Sequence, residues 1–89
     1  MFYVYVLKMQ NEELYFGSTN DLKRRIQEHK LGKVFTTQKY LPITLIYYEC
    51  YLAEEDAKQR ERMLKRYGST YVHLKQRIKY SIKGFQGRG

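Results

Sequence analysis

Tryptophan is absent, cysteine and proline occur once each, and acidic residues are a minority, 9 Asp/Glu against 17 Lys/Arg. Each scarcity excludes something. A single cysteine, Cys50, rules out a disulfide within the chain and any cysteine-based zinc site. Its place in an apolar run predicts a small buried side chain, which fits a reducing cytoplasm. The longest apolar runs fall far short of the ~20 residues of a membrane span. The N-terminus lacks a basic segment followed by an apolar one, so no signal peptide is read and a cytoplasmic location is expected. No linker, repeat or composition shift divides the 89 residues, a length near the small end of what folds alone. The deficit of acid leaves a net charge of +8 and a pI near 9.6. A polyanionic partner is expected, nucleic acid first and an acidic membrane face second.

Tyrosine, by contrast, is plentiful, with ten in the chain, and their positions organise the reading. Phe2 to Leu7 is β-branched and aromatic and reads as a strand. Residues 9–13 are polar and turn-like, and Leu14 to Gly17 reads as the returning strand of a hairpin. Alternation puts Phe2, Val4 and Val6 on one face of the first strand and Tyr3, Tyr5 and Leu7 on the other. Leu14 and Phe16 share a face of the second strand, with Tyr15 and Gly17 opposite, and Gly17 would leave room for a phosphate or a helix.

A helix follows, with Ser18, Thr19 and Asn20 competent to cap it, Ser18-x-x-Asp21 in capping-box form, and Gly32 as its stop. Leu22 and Ile26 mark its buried stripe. Arg25 and His29, four apart, lie beside that stripe, whereas Arg24 points away. Residues 33–42 form a loop ending at Pro42. Ile43 to Tyr51, almost uncharged inside, reads as a long central strand, with Glu49 near its end. A second helix runs from about Ala53 to Tyr67 with Ala57, Leu64 and Tyr67 as its apolar stripe, and Gly68 stops it. Arg60 also falls on that stripe, and Glu61 sits on its flank. A third helix, capped by Ser69 or Thr70, docks through Tyr71, Leu74, Ile78 and Ile82. The expected architecture is α+β: a three-stranded antiparallel sheet flanked by three helices in the order ββ-α-β-α-α. Residues 1–83 form the domain and 84–89 a mobile tail.

Phosphodiester hydrolysis needs a water, a base for its proton, positive charge on the phosphate oxygens and help for the leaving alkoxide. The chain has a candidate for each task. Arg25 is permanently charged and forks onto phosphate oxygens. Glu61 could hold a hard divalent cation through one carboxylate, with waters and phosphate oxygens completing the shell. Tyr5 or Tyr15 could orient or deprotonate water, given Arg25 or a metal nearby to stabilise the phenolate. His29 titrates near neutrality and could relay the proton. Taken singly, each has a plainer reading: half-buried strand tyrosines, a solvated arginine, a histidine at a helix C-terminus, and Glu61 paired with Lys58 or Lys65. The joint spacing weighs against all of these together.

Tyr3-Val4-Tyr5, Tyr15-Phe16-Gly17, and Asn20-Asp21-Leu22-Lys23-Arg24-Arg25-Ile26-Gln27-Glu28-His29 resemble the GIY-YIG nuclease family, in particular its small stand-alone bacterial members. Leu45-Ile46-Tyr47-Tyr48-Glu49 and Ala57-x-x-Arg60-Glu61-x-x-Leu64-Lys65 extend the resemblance over residues 2 to about 80. It implies metal-dependent hydrolysis of DNA with one Mg²⁺ or Mn²⁺. Tyr5 and Tyr15 would be the motif tyrosines, Tyr5 the better candidate for water activation. Arg25 would be the phosphate clamp, His29 the proton carrier and Glu61 the metal ligand. The chain departs from the family in two places. Tyr3 stands where the name-giving glycine would, and the last helix offers Ser69, Thr70, His73 and Gln76 but no asparagine.

The leading expectation is an endonuclease of DNA repair, recombination or turnover with little sequence preference, acting on branched or single-stranded DNA. Lys33, Lys39, Lys65, Lys75, Arg77 and Lys79 would hold the backbone. A protein partner could supply specificity, since the chain shows no added recognition domain. The missing asparagine motivates an alternative, a nucleic-acid-binding module with weakened or lost catalysis. A membrane-surface anchor built on the basic third helix is the weakest reading.

Overall fold

In the computed structural model, which describes residues 1–84, the chain starts with a hairpin of β1 (Phe2–Lys8) and β2 (Leu14–Thr19). The polar turn between them closes through a backbone hydrogen bond from Met9 to Glu13, with Glu12 in the left-handed region at φ 72°. A third strand, β3 (Thr44–Tyr51), pairs antiparallel on the other side of β1, so the sheet order is β2-β1-β3. The central strand is therefore β1, not β3. Val4, Val6 and Leu7 on β1 are fully shielded, because each side of that strand has both a neighbouring strand and helical cover. Strand β3 lies at an edge, and none of its residues is buried. Its apolar composition reflects packing of Ile46, Tyr47 and Tyr51 on one face and Leu45 on the other. Cys50, on this edge, is exposed rather than buried.

Alternation along β1 feeds two cores, one on each face of the sheet. Val4, Val6 and Phe16 meet Ala57 and Leu64 of α2 (Glu54–Arg66), with Leu74 and Ile78 from the last helical segment. Tyr5 and Leu7 meet Ile26 of α1 (Leu22–Lys30), with Ile43 closing the cluster. Full burial of such a side chain is worth roughly 1.5–3 kcal/mol. Packing of β1 against both layers thus supplies much of what holds a domain this small together. The fold is the expected α+β arrangement, with helices on both faces of a three-stranded antiparallel sheet.

Helix boundaries differ in detail from the reading above. Strand β2 continues through Ser18 and Thr19, so the cap of α1 is Asp21, whose carboxylate accepts from the Arg24 amide at 3.1 Å. Gly32, at φ 74°, follows the helix end in a conformation that suits glycine. Helix α2 ends at Arg66. Tyr67 adopts extended backbone (φ −109°, ψ 114°), which takes it off the apolar stripe and leaves it 53% exposed. Gly68 does not stop a helix but opens α3 (Gly68–Arg77), with no side-chain cap from Ser69 or Thr70. The expected third helix is broken at Ile78, and α4 (Lys79–Lys83) continues from it. Leu74 and Ile78 are buried and Tyr71 and Ile82 pack beside them, as their spacing demands. Of the expected tail, residues 85–89 lie outside the described residues.

Candidate active site

The hairpin register places Tyr5 directly opposite Gly17. A Cβ at position 17 would fall inside the van der Waals envelope of the Tyr5 hydroxyl and its ring carbon. The space that Gly17 leaves is thus taken by the Tyr5 ring, not by a phosphate or helix. The ring crosses the edge strand and delivers its hydroxyl to α1, where it lies 2.9 Å from His29 Nε2. On the other side of the imidazole, Nδ1 lies 2.8 Å from Thr37 Oγ1. Tyr5, His29 and Thr37 are all buried, and they form one hydrogen-bonded row from the sheet through α1 to the loop beneath it.

Burial, and then the nearby Arg25 guanidinium, lower the His29 pKa from its usual value to about 4. His29 is therefore neutral at pH 7, in contrast to the near-neutral titration expected from sequence. A neutral imidazole donates from one nitrogen and accepts at the other. When Thr37 donates to Nδ1, Nε2–H donates to the Tyr5 oxygen; when Nδ1–H donates to Thr37, Tyr5 donates to Nε2. Only the first arrangement supports a phenolate. Burial raises the Tyr5 pKa to about 12, Arg25 opposes that rise, and Tyr15 and Glu61 reinforce it.

Tyr15, two residues before Gly17 on the same face of β2, brings its ring centroid to 6.4 Å from that of Tyr5 and 5.3 Å from that of His29. Arg25, one turn before His29 on α1, stands close enough to the Tyr5 hydroxyl to act on it, and pairs with Glu28 at 2.9 Å. Its neighbour Arg24 points outward, with its side chain 65% exposed.

Glu61 arrives from the opposite layer. It lies on α2, and its Oε1 accepts from Ser18 Oγ of β2 at 2.5 Å while Oε2 accepts from Lys65 Nζ at 2.8 Å. Burial pushes the carboxyl pKa up, but the hydrogen bonds from Lys65 and Ser18 outweigh it, and the net shift is downward. Glu61 is thus ionised. Lys65 also stands 5.9 Å from the Tyr15 ring centroid. The five candidate residues from α1, α2 and the hairpin therefore gather around one place, the open edge of β2.

Among the described residues there is no cluster of three or more His, Cys, Asp or Glu side chains. The donor set is instead a single ionised, partly exposed carboxylate, which acts on the Tyr5 hydroxyl from one side while the Arg25 guanidinium acts on it from another. That suits Mg²⁺, which keeps several waters and binds through one or two carboxylates plus phosphate oxygens.

The basic residues divide. Lys65 belongs to the site. Lys75 stands 5.0 Å over the ring of Tyr71, which lines one hollow with Tyr15 and Lys65. Lys33 lies along the outer side of α1 with Arg24 and Glu28, and Lys39 is in a short 3-10 turn over Gln38–Tyr40. Arg77 lines a hollow with Arg60 and His73, and Lys79 lies over Tyr80. Among the described residues, no ring contact or hollow joins these four to Tyr5 or Tyr15. His73, a possible stand-in for the family asparagine, likewise sits with Arg60 and Arg77 rather than at Glu61. Thr37 and Ser18 carried no chemical signal in the sequence. Thr37 sits in a loop without periodicity, and Ser18 was read as a helix cap. Arg60, unexplained by the stripe, forks onto Glu49 at 2.9 and 3.0 Å.

A model of the GIY-YIG catalytic domain matches residues 1–71, a span that contains all five candidates. The chain belongs to the GIY-YIG family. It is 40% identical over 65 residues to a UPF0213 protein of Streptococcus pyogenes serotype M5 (strain Manfredo), covering 72% of this chain and 71% of that one. A UPF0213 protein of serotype M3 (strain SSI-1) matches with the same identity and coverage. The solution NMR structure of the UPF0213 protein BH0048 from Bacillus halodurans superposes with a TM-score of 0.60, at 26% identity over the full length of both chains. Membership makes the chain one of a family of DNA-cleaving nucleases, which generally depend on a divalent metal. In GIY-YIG terms, Tyr5 closes the first motif and Tyr15-Phe16-Gly17 forms the second.

Proposed function

We propose that the protein is a metal-dependent DNA endonuclease of repair, recombination or turnover, with little sequence preference of its own. What carries the reading is that the Arg25 guanidinium from one layer and the Glu61 carboxylate from the other both act on the Tyr5 hydroxyl, with Glu61 anchored to Ser18 of β2. Arg25 clamps the non-bridging oxygens of the scissile phosphate. Glu61 would hold Mg²⁺ or Mn²⁺, which supplies charge neutralisation at the phosphate and the leaving oxygen when bound. Tyr5 takes the proton of the attacking water as the new P–O bond forms and the ester P–O bond breaks. With a pKa near 12, only ~10⁻⁵ of Tyr5 is ionised at pH 7. The phenolate therefore depends on the positive charge that arrives with a loaded site, on Arg25, and on the Nε2–H of neutral His29. Tyr15 walls the pocket beside the reacting oxygen.

The test is cleavage of plasmid and flap DNA with Mg²⁺ or Mn²⁺ by wild type, Arg25→Ala and Glu61→Ala. Each substitution is expected to lower the rate by ~10²-fold or more, the usual consequence of removing a preorganised charge at the transition state. Equal cleavage by all three proteins would assign the activity to a contaminant.

One observation favours a second reading. No asparagine stands in α3, and its nearest substitute, His73, sits away from Glu61. A binding module that has lost catalysis would bind DNA in a salt-sensitive way, tolerate Glu61→Ala, and yield no metal-dependent product from any substrate.

A further inference from the structure

Beside the candidate active site, and sharing Tyr15 and Lys65 with it, lies an open hollow of about 390 Å³. Its floor is apolar, lined by Phe16 of β2 and Leu64 of α2, both largely buried in the core beneath it. Tyr67 and Tyr71 stand at its wall. Tyr71 is held edge-on against Phe16, with ring centroids 5.5 Å apart and planes at 85°. Tyr67 is different. It is 53% exposed, packs against no other ring among the described residues, and is presented by the extended link between α2 and α3. The next residue is Gly68, and a Cβ there would meet nothing within 4 Å. Two ammonium groups flank the hollow: Lys65 over Tyr15, and Lys75 over Tyr71.

An exposed phenol ring, an apolar floor and cations at the rim match the chemistry of one ligand class. Unstacked nucleobases bind to aromatic faces, while neighbouring lysines take the backbone phosphates. A base paired inside a duplex cannot present its face in this way. We propose that this hollow receives a nucleobase lifted from its stack, one step along the strand from the phosphate at Arg25, with Tyr67 as the stacking ring. The substrate of the site is then DNA that is single-stranded at that position, such as a flap or frayed end. This inference rests on the nuclease reading for its polarity, but the binding it predicts needs no metal and no turnover.

The experiment uses the full chain in EDTA with a short single-stranded DNA carrying 2-aminopurine, whose fluorescence falls on stacking. The comparison ligands are the same strand with an abasic site at the probe position, and the duplex. Wild type is expected to quench the probe and to bind the single strand more tightly than either. Tyr67→Ala should weaken binding by about tenfold and abolish the quench, which is the size of one lost base–aromatic stack. Tyr67→Phe should retain both. Gly68→Leu adds a side chain at a residue lining the hollow, where a Cβ meets nothing within 4 Å, and should block it; its thermal melting would report whether the fold survives.

Unchanged binding in Tyr67→Ala and Gly68→Leu, or equal affinity for the abasic strand, would overturn the proposal. So would a change in sedimentation without a change in binding, since that would make the hollow a contact between copies of the chain. The two readings fail separately. If wild type quenches through Tyr67 but cleaves nothing with Mg²⁺ or Mn²⁺, the nuclease reading falls and the base site stands. If cleavage depends on Arg25 and Glu61 while the quench survives Tyr67→Ala and Gly68→Leu, only the base site falls.

Discussion

The Tyr5 ring occupies the space that a side chain at residue 17 would need, and it does so from the strand directly opposite. This one relationship ties the two motifs of the chain together. The glycine of the second motif exists for the tyrosine of the first, which must cross the edge strand to reach His29.

Gly17→Ala is accordingly expected to destabilise the fold by about 1–3 kcal/mol, the usual cost of overpacking a filled core. It should also displace the Tyr5 hydroxyl and so depress cleavage. The decisive measurement is a double-mutant cycle by chemical denaturation. In a Tyr5→Ala background, Gly17→Ala should cost far less, with a coupling of about 1 kcal/mol or more. Additive costs would mean that Gly17 serves the backbone and not the ring.

The imidazole that receives Tyr5 makes a pH prediction. The His29 pKa falls from 6.5 to about 4 on folding, chiefly through burial. The unfolded chain thus binds the proton more readily than the folded one. The stability tied to neutral His29 is complete above pH 6.5 and is lost progressively as pH falls from there towards 4. Between pH 7.5 and pH 5 this loss should be on the order of 2 kcal/mol. Urea denaturation of wild type and His29→Gln at the two pH values would measure it. The variant should be less stable at pH 7.5 and show a flatter dependence; identical slopes would refute the assignment.

Much of the site was legible before any coordinates. Period-two alternation put Tyr5 and Tyr15 on one face, and helical phase chose Arg25 over Arg24. Those are local rules, and they held. Strand order was not legible, because edge or centre depends on pairing partners that composition does not name. Charge-poor β3 looked central, yet it lies at an edge and owes its composition to Tyr47 and Tyr51 packing over one core. Tyr67 continued the stripe on paper, but the helix ends one residue before it. Thr37 was invisible because burial in a loop leaves no periodic trace.

Thr37 gives the next prediction. Among the described residues, its hydroxyl is the one hydrogen-bond partner of His29 Nδ1, in a fully buried setting. Thr37→Val keeps the shape but orphans that nitrogen, which should cost about 1–3 kcal/mol. Thr37→Ser should recover most of the loss. If Thr37 also sets the tautomer that leaves Nε2–H facing Tyr5, the valine variant should lose cleavage rate with little change in DNA affinity. A rise in Kd with an unchanged single-turnover rate would show that Thr37 acts on binding instead.

On the other face of the sheet, Glu49 accepts from Tyr47 at 2.7 Å and from Tyr51 at 2.5 Å, besides the two bonds from Arg60. The guanidinium and both phenols together hold the Glu49 carboxyl below its usual range, outweighing the upward push of burial. Arg60 and Glu61 are adjacent on α2 yet serve opposite sides of it, Arg60 the β3 edge and Glu61 the β2 edge. Removing Arg60 would leave a half-buried carboxylate with two neutral donors. Breaking a buried pair costs about 3–5 kcal/mol, and the partial exposure of this one reduces the expectation to about 1–3 kcal/mol. Arg60→Met is therefore expected to lower the melting temperature while leaving Mn²⁺ binding unchanged. Glu61→Gln should do the reverse, weakening Mn²⁺ binding with only a small effect on melting. Calorimetry of both variants checks the separation, and a loss of metal binding in Arg60→Met would mean that the two edges of α2 are coupled.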